Sequence, residues 1–434
     1  MPWTEFTCAT LGRGRAIRRR TFLTFFPAVS VGAAGLVSLL GAHAAQLARK
    51  GKRCILLWMG GGPSQFESFD PKTDPDTGGG TKSISTAVPG VRIAEYWPRT
   101  AAIMKELVVI RSMVGKEGSH QRATYHLHTG YVPSGSVVHP SLGAHITREL
   151  APPDSDLPQF VSIGGPTHGA GFLGAAYEPF VVEDALKGPA DLRPTGTLSD
   201  ERRRRRSRFL QSRTIAGDAP LVYEDYAEVQ QQALRMIRGP ARRVFDLSQE
   251  SESVRQRYGN TRIGMGCLLA RRLAEAGVTF VEVRMSGWDT HRDNFKITPR
   301  LAVMADSALA SLVADLRSSG LLRDTLVIWM GEFGRTPRIN PRGGRDHWPK
   351  AFSIVLCGAG LPGGVVLGKT SPDGSEVVDR PVAVPDLFRT ICLLLGVDPD
   401  AEHRSPLGRP IKTVDGGEPI RELLSGREVA KKLS

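Results

Sequence analysis

A chain of 434 residues, 41% hydrophobic and 23% charged, carries enough apolar sequence for one large core or two smaller ones. That excludes a disordered polymer, and five cysteines without C-x-x-C spacing exclude a disulfide framework or a zinc ribbon. The formal charge is +13, of which residues 1–44 supply five arginines against one glutamate, so about +9 remains once they are removed. The rest of the excess is concentrated in Arg202–Arg206 with Arg208 and Arg213. Such a run is either a solvated loop or an attractor for phosphate or sulfate polymers and anionic surfaces, with no sign of a specific nucleic-acid partner.

The chain opens on an export signal. Arg19-Arg20-Thr21-Phe22-Leu23 fits the twin-arginine pattern, a Gly/Ala-rich apolar stretch runs from Thr24 to Gly41, and Ala42-His43-Ala44 offers an A-x-A cleavage site. With Pro27 and three glycines in it, the apolar stretch is short for a membrane span. The expectation is a signal peptide over 1–44, a periplasmic or extracellular mature protein, and no transmembrane helix after the signal. Twin-arginine export carries folded proteins, often already loaded with a cofactor or metal.

The mature domain, 45–420, starts with the unalternated apolar run 54–59, which predicts a buried parallel strand. It stops at Gly60-Gly61-Gly62, where the backbone turns and approaches a ligand closely, and Glu67 and Asp70 follow. These two acids either reach a metal or sit solvated in a turn. A helix over 95–107 and a strand over 108–113 come next. The loop then leads into a helix from about Ser119 to Gly130. Ser119 at that helix start is either a cap or a nucleophile stabilised by the helix dipole. His120, His126 and His128 lie here, and the last two point to different faces of a helix, so they do not share one metal. A helix at 140–150 and a strand at 159–165 follow. From 184 to 256, Arg, Glu and Gln accumulate in helical patterns, which predicts a helical insertion with the arginine run near its start. The core resumes with a helix ending at Gly277, strands at 278–285 and 325–330, a helix at 299–319 between them, a strand at 352–358, a Gly-rich hairpin, and a closing apolar helix. Residues 421–434 form a tail. Alternating strands and helices of this length predict an α/β fold, a doubly wound, mostly parallel sheet flanked by helices.

The chemistry collects between Val278 and Pro349. Two apolar strands end in loops with Asp289 and His291 after the first and Glu332 after the second; Asp346 and His347 lie one loop further on. Ligands of open parallel sheets sit at the strands' carboxyl ends. Asp, Glu and His there are the donors a divalent ion takes. Asp289 and His291, two apart in an extended segment, share a face, while Asp346 and His347 divide into one ligand and one orienting residue. Arg335 and Arg345 flank the stretch and either clamp an anionic transition state or pair with these acids.

The motifs GGPSQFESFDPK, GWDTHRDNF, MGEFGRTPRIN and GGRDHWP resemble the signatures of an exported bacterial family labelled domain of unknown function 1501, over about residues 52–415. That family is similar to the alkaline phosphatase and sulfatase superfamily, whose members use a doubly wound sheet and one or two metals. The resemblance implies an alkaline phosphatase-like fold and a divalent ion (Zn, Mn, Mg or Ca). Its ligands would be Asp289, His291, Glu332 and His347, with Glu67 or Asp70 from the first strand end. Ser119 or Thr124 is the position implied for a nucleophile. Phe333 follows Glu332 where the superfamily places a ligand histidine, Glu67 stands where the family more often has Asp, and no Cys-x-Pro-x-Arg sulfatase motif occurs. The expectation is an exported metal-dependent hydrolase acting on a phosphate or sulfate ester of a small molecule or glycan. The alternative is a non-catalytic envelope protein that binds anionic polymer or a protein partner.

Overall fold

The run from Cys54 to Met59 becomes β1 (Arg53–Gly60), buried on both faces at the middle of a nine-stranded sheet. A computed structural model describes residues 51–424, apart from 136, 154 and, between 190 and 239, all but 201, 202, 205 and 236. The twin-arginine segment, most of the arginine run, most of the helical insertion and residues 425–434 therefore lie outside the described residues. The other strands of the sheet are β2 (Leu107–Val114), β3 (Phe160–Ile163), β4 (Phe180–Val182), β5 (Phe280–Ser286), β6 (Thr325–Met330), β7 (Phe352–Gly358), β8 (Val365–Leu367) and β9 (Val382–Ala383). Their order is β8-β2-β7-β6-β1-β5-β3-β4, with β9 also against β2. Every pairing is parallel except those of β7, which runs antiparallel to both β2 and β6.

The period of two along each strand divides the core into two layers. Ile55, Leu57 and Met59 face one side, against α3 (Arg262–Glu275) and α4 (Asn294–Ser318). Cys54, Leu56 and Trp58 face the other, against α1 (His120–Thr129), α2 (Leu142–Leu150) and α5 (Val384–Leu395). Both faces are covered, which is why the strands read as continuous apolar runs. The protein is thus α/β, a mostly parallel sheet with helices on both faces. Among the described residues α4 is long and apolar enough to cross a membrane, yet 56% of that window is buried in the fold, as in a core helix. The four cysteines of the described residues are buried free thiols.

Three sequence expectations shift. The helix expected over 95–107 shrinks to Pro98–Ala102, because a proline fixes the helix start and buried Trp97, whose indole N–H donates to Glu67 O at 3.1 Å, occupies the residue before it. The helix expected from 299 begins at Asn294, where Asn294 N–H to Gly343 O (2.9 Å) and Thr290 Oγ1 to Asn294 Oδ1 (2.6 Å) hold the chain ahead of Pro299. Val365–Leu367 joins the main sheet, which leaves the hairpin to Lys369–Thr370 and Val377–Asp379.

Trp97 packs with Trp288, Trp329 and Phe69 at ring separations of 5.1–6.5 Å and is fully buried, directly under the loop that follows β5. Trp97→Ala is expected to cost about 3–5 kcal/mol in stability, read by chemical denaturation.

Candidate metal centre

The carboxyl ends of β1, β5 and β6 lie side by side, so the loops after them meet. Gly61 makes this possible: at φ +114° it turns the chain so tightly that a Cβ would lie 2.4 Å from Asp289 N. Gly344 does the same from the other side, where a Cβ would lie 2.1 Å from the carbonyl carbon of His291. The loop carrying Asp346 and His347 is tied to the loop after β5 by Arg345 N–H to Thr290 O (3.0 Å) and Asn340 Nδ2 to His291 O (2.9 Å). A short antiparallel pair, Gly334–Arg335 with His347–Trp348, brings His347 back over the site.

Four donor atoms converge there. Asp289 Oδ1 is 3.3 Å from His120 Nε2, 3.2 Å from His291 Nε2 and 3.4 Å from His347 Nε2, and the Nε2 atoms of His291 and His347 are 2.9 Å apart. All four donors fall within 4.8 Å of one another. A tetrahedron with bonds of ~2.0–2.1 Å has edges of ~3.3 Å, so the spacing suits one small cation.

The far nitrogen of each ring is engaged. His120 Nδ1 meets Glu332 Oε1 at 2.7 Å, His291 Nδ1 meets Asp346 Oδ1 at 2.7 Å, and His347 Nδ1 meets Gly118 O at 2.8 Å. A carbonyl or carboxylate oxygen only accepts, so each Nδ1 carries a proton, and each ring, when neutral, keeps its lone pair on Nε2. Two neutral rings with their lone pairs facing each other at 2.9 Å repel unless a proton or a metal cation lies between them. His120 Nε2, buried, makes no hydrogen bond at all. The residues present therefore fit a metal ion, with its ligands oriented from behind.

The electrostatics agree. Burial pushes the Asp289 carboxyl up, but the hydrogen bond from Arg335 Nη2 (2.7 Å), the Arg335 charge and the neighbouring histidines hold it at about 2. The hydrogen bond to Glu332 raises His120 above its ordinary value, whereas burial lowers His347. Asp346 is lowered, first by its hydrogen bond with His291.

Of the residues singled out in the sequence, Asp289, His291 and His347 come together as donors, while Glu332 and Asp346 stand behind histidines. Glu332 Oε1 also accepts from Gly61 N–H at 2.9 Å. Glu67 and Asp70 are not in the cluster. Glu67 is buried against Arg345, its Oε1 2.9 Å from Nη2 and 3.2 Å from Nε. Asp70 is bound by Lys72 at 3.1 Å and by the Thr370 hydroxyl. Both turned inward because each had a cation or hydroxyl to satisfy it. Arg335 and Arg345 are fully buried and do not present their charge to a substrate. Arg335 donates to Gly61 O, Gly62 O, Trp288 O, Arg345 O and Asp289. Arg345 donates to Glu67, Thr77 O, Thr336 O and Pro337 O. Ser119 is exposed at the start of α1, and its hydroxyl makes no cap bond. His126 is buried away from the donors. His120 is the ligand candidate that sequence reasoning left out; its one signal is its place right after a strand-end loop, like the others.

Residues 51–424 match the model of a family described as "Protein of unknown function (DUF1501)". No curated protein matches the sequence. Similar solved structures include the PsFucS1 sulfatase from Pseudoalteromonas sp. (15% identity, TM-score 0.38, 83% of this chain and 70% of that one). Another is the C-terminal periplasmic domain of EcEptC from Escherichia coli in complex with Zn (12% identity, TM-score 0.39, 84% and 90%). A third is a protein in the alkaline phosphatase superfamily from Vibrio parahaemolyticus (14% identity, TM-score 0.38, 80% and 67%). Likeness at this level says nothing about the residues of the cluster.

Glu332→Gln removes the charge behind His120 and is expected to weaken metal affinity by about 10- to 100-fold, measured by competition with a chromogenic chelator. Metal binding also needs all three imidazoles neutral. Because the folded-state pKa of His120 is raised above 6.5, protonated His120 stabilises the metal-free chain at low pH and that stabilisation is lost as pH rises through the raised value. The difference in Tm between metal-loaded and chelated protein is therefore expected to widen between about pH 6 and pH 8.

Proposed function

Because the chain belongs to the DUF1501 family, whose function is unknown, and gathers three imidazoles and a carboxylate at its strand ends, we propose that it is an exported metal-dependent hydrolase of phosphate or sulfate esters. The observation that carries the reading is the approach of the Nε2 atoms of His291 and His347 to 2.9 Å, with His120 Nε2 and Asp289 Oδ1 closing the same space. Export rests on the twin-arginine pattern at Arg19 and Arg20.

His120, His291, His347 and Asp289 hold the ion in this reading. Three nitrogens and one oxygen favour a zinc-like ion over Ca²⁺ or Mg²⁺, which take six or more oxygens, so among Zn, Mn, Mg and Ca the donor set selects Zn. When bound, such an ion supplies Lewis acidity toward a phosphoryl or sulfuryl oxygen and lowers the pKa of water. Glu332, Asp346 and the Gly118 carbonyl fix the imidazole tautomers, and Arg335 holds Asp289 ionised and in place. The donor side chains are 22–45% exposed, which leaves a solvent side for the anionic ester of a small molecule or glycan. Ser119, exposed next to His120 with its hydroxyl uncapped, is the candidate nucleophile.

A second reading has one observation in its favour: four protein donors make a closed set, the arrangement of structural rather than catalytic zinc. The protein would then be a metal-stabilised envelope protein without turnover, binding anionic polymer or a protein partner.

Purified protein loaded with zinc is expected to hold one ion per chain, to cleave nitrophenyl phosphate or sulfate, and to lose both ion and turnover in His120→Ala. Failure to bind any ion sinks the proposal. A bound ion that stabilises the fold, with no turnover of any ester, leaves the structural reading standing instead.

A further inference from the structure

The loop that brings Asp346 and His347 to the cluster contains a turn, Asn340-Pro341-Arg342-Gly343-Gly344, that wraps around the backbone of His291. Asp293 N–H donates to Arg342 O at 3.2 Å, Asn294 N–H to Gly343 O at 2.9 Å and Arg345 N–H to Thr290 O at 3.0 Å. These backbone bonds dock the turn, but they reach neither the His291 ring nor the Asp346 carboxylate. The side chain that spans from His291 to Asp346 is Asn340.

Both ends of the Asn340 amide are committed. Its Oδ1 accepts from Arg342 N–H at 3.0 Å and from Gly344 N–H at 3.1 Å. Both partners are backbone donors, so the amide cannot be turned over and Nδ2 faces the other way. Nδ2 donates to His291 O at 2.9 Å and to Asp346 Oδ1 at 3.2 Å. The same Asp346 oxygen accepts from His291 Nδ1 at 2.7 Å. The bonds thus close a circuit, from the His291 carbonyl through Asn340 and Asp346 back to the imidazole of the same residue. The circuit matters because the Asp346 side chain is 52% exposed. Among the described residues, His291 and Asn340 are the hydrogen-bond partners of its carboxylate. A carboxylate so exposed turns readily into water, and without it nothing stands behind the His291 ring.

We propose that Asn340 is a positioning residue of the metal centre: it holds the Asp346 carboxylate against His291 Nδ1 and so aims His291 Nε2 at the other three donors. It contributes no donor atom of its own to the cluster. The proposal rests on the reading of the cluster as a metal site, while the circuit itself belongs to the metal-free chain. Asn340→Asp separates the two ends of the amide. The substituted side chain still offers an oxygen to Arg342 N–H and Gly344 N–H, so the turn stays capped. Its other end changes from a donor to a negatively charged acceptor facing His291 O and the Asp346 carboxylate, which drives Asp346 outward and frees the imidazole. Adding Asp346→Asn restores the match, with an amide N–H toward position 340 and a carbonyl oxygen still accepting from His291 Nδ1.

NMR of the histidine ring N–H groups in the chelated chain reads the positioning without any metal, and competition with a chromogenic chelator reads its effect on zinc. The wild-type chain is expected to show a His291 Nδ1–H proton protected from exchange. Asn340→Asp is expected to lose that protection, and the double variant Asn340→Asp/Asp346→Asn to regain it. Zinc affinity is expected to fall about tenfold or more in Asn340→Asp, and the double variant to lose less than the two single losses combined. A role confined to capping the turn predicts neither effect, because Asn340→Asp keeps the cap. No protected His291 signal in the wild type, the same signal in Asn340→Asp, or zinc losses that simply add overturns the assignment. If the chain binds no zinc, the hydrolase reading fails on its own, and the ring signal still decides the role of Asn340. Should Asn340→Asp not fold, Asn340→Ala, which adds no charge, takes its place in both measurements.

Discussion

Three imidazole nitrogens and one carboxylate oxygen pointing at the same few cubic ångströms form an arrangement the chain alone does not favour. Lone pairs at such distances repel, and each imidazole could relieve the strain by rotating outward or by taking a proton. It is held because every far nitrogen is committed: His120 to Glu332, His291 to Asp346 and His347 to the Gly118 carbonyl. The ring orientations are set from behind, so the cost of convergence is met by the fold before any cation arrives.

The fold meets it with buried charge. Arg335 and Arg345 have no exposed surface, and burying guanidinium groups is costly unless their donors and charge are satisfied. Arg335 is tied to four backbone carbonyls and Asp289, and Arg345 to three carbonyls and Glu67. Together they cross-link the loops after β1, β5 and β6. Removing either partner of Glu67–Arg345 would leave an uncompensated charge in the interior, which is a stronger constraint on these loops than any apolar contact they make. The acids that most resemble metal ligands in the sequence thus divide by partner. Glu67 and Asp70, paired with Arg345 and Lys72, turned inward; Glu332 and Asp346, each paired with one histidine, orient the cluster; and Asp289, held by Arg335 among three histidines, is the acid that enters it.

The same logic extends along α1. Its first residue, His120, contributes to the cluster, and its ninth, His128, is anchored by Glu282 in β5. One helix and one strand are thereby pinned at two points. Trp58 lies beneath the second of these points, in ring contact with His128 at 4.1 Å.

The α/β architecture was legible in the sequence because a strand buried on both faces leaves an unbroken apolar run, as at Cys54–Met59 and Thr325–Met330, and because glycines mark where such runs stop. Asp289, His291 and His347 were legible for a related reason: they follow strand ends, where the chain has no packing use for them. The direction of β7 was not, since a buried apolar run reads the same both ways. Nor was the membership of the cluster. His120 comes from a distant segment and reaches the site only because α1 packs antiparallel over β5, while Glu67 and Asp70, near in sequence to the right turn, are claimed by Arg345, Lys72 and Thr370. Sequence by itself determined which residues were chemically able to hold a cation. Tertiary structure decided which of them come together, because a charged side chain goes to whichever opposite charge or donor the packed chain places nearest, and that is a property of long-range contacts alone.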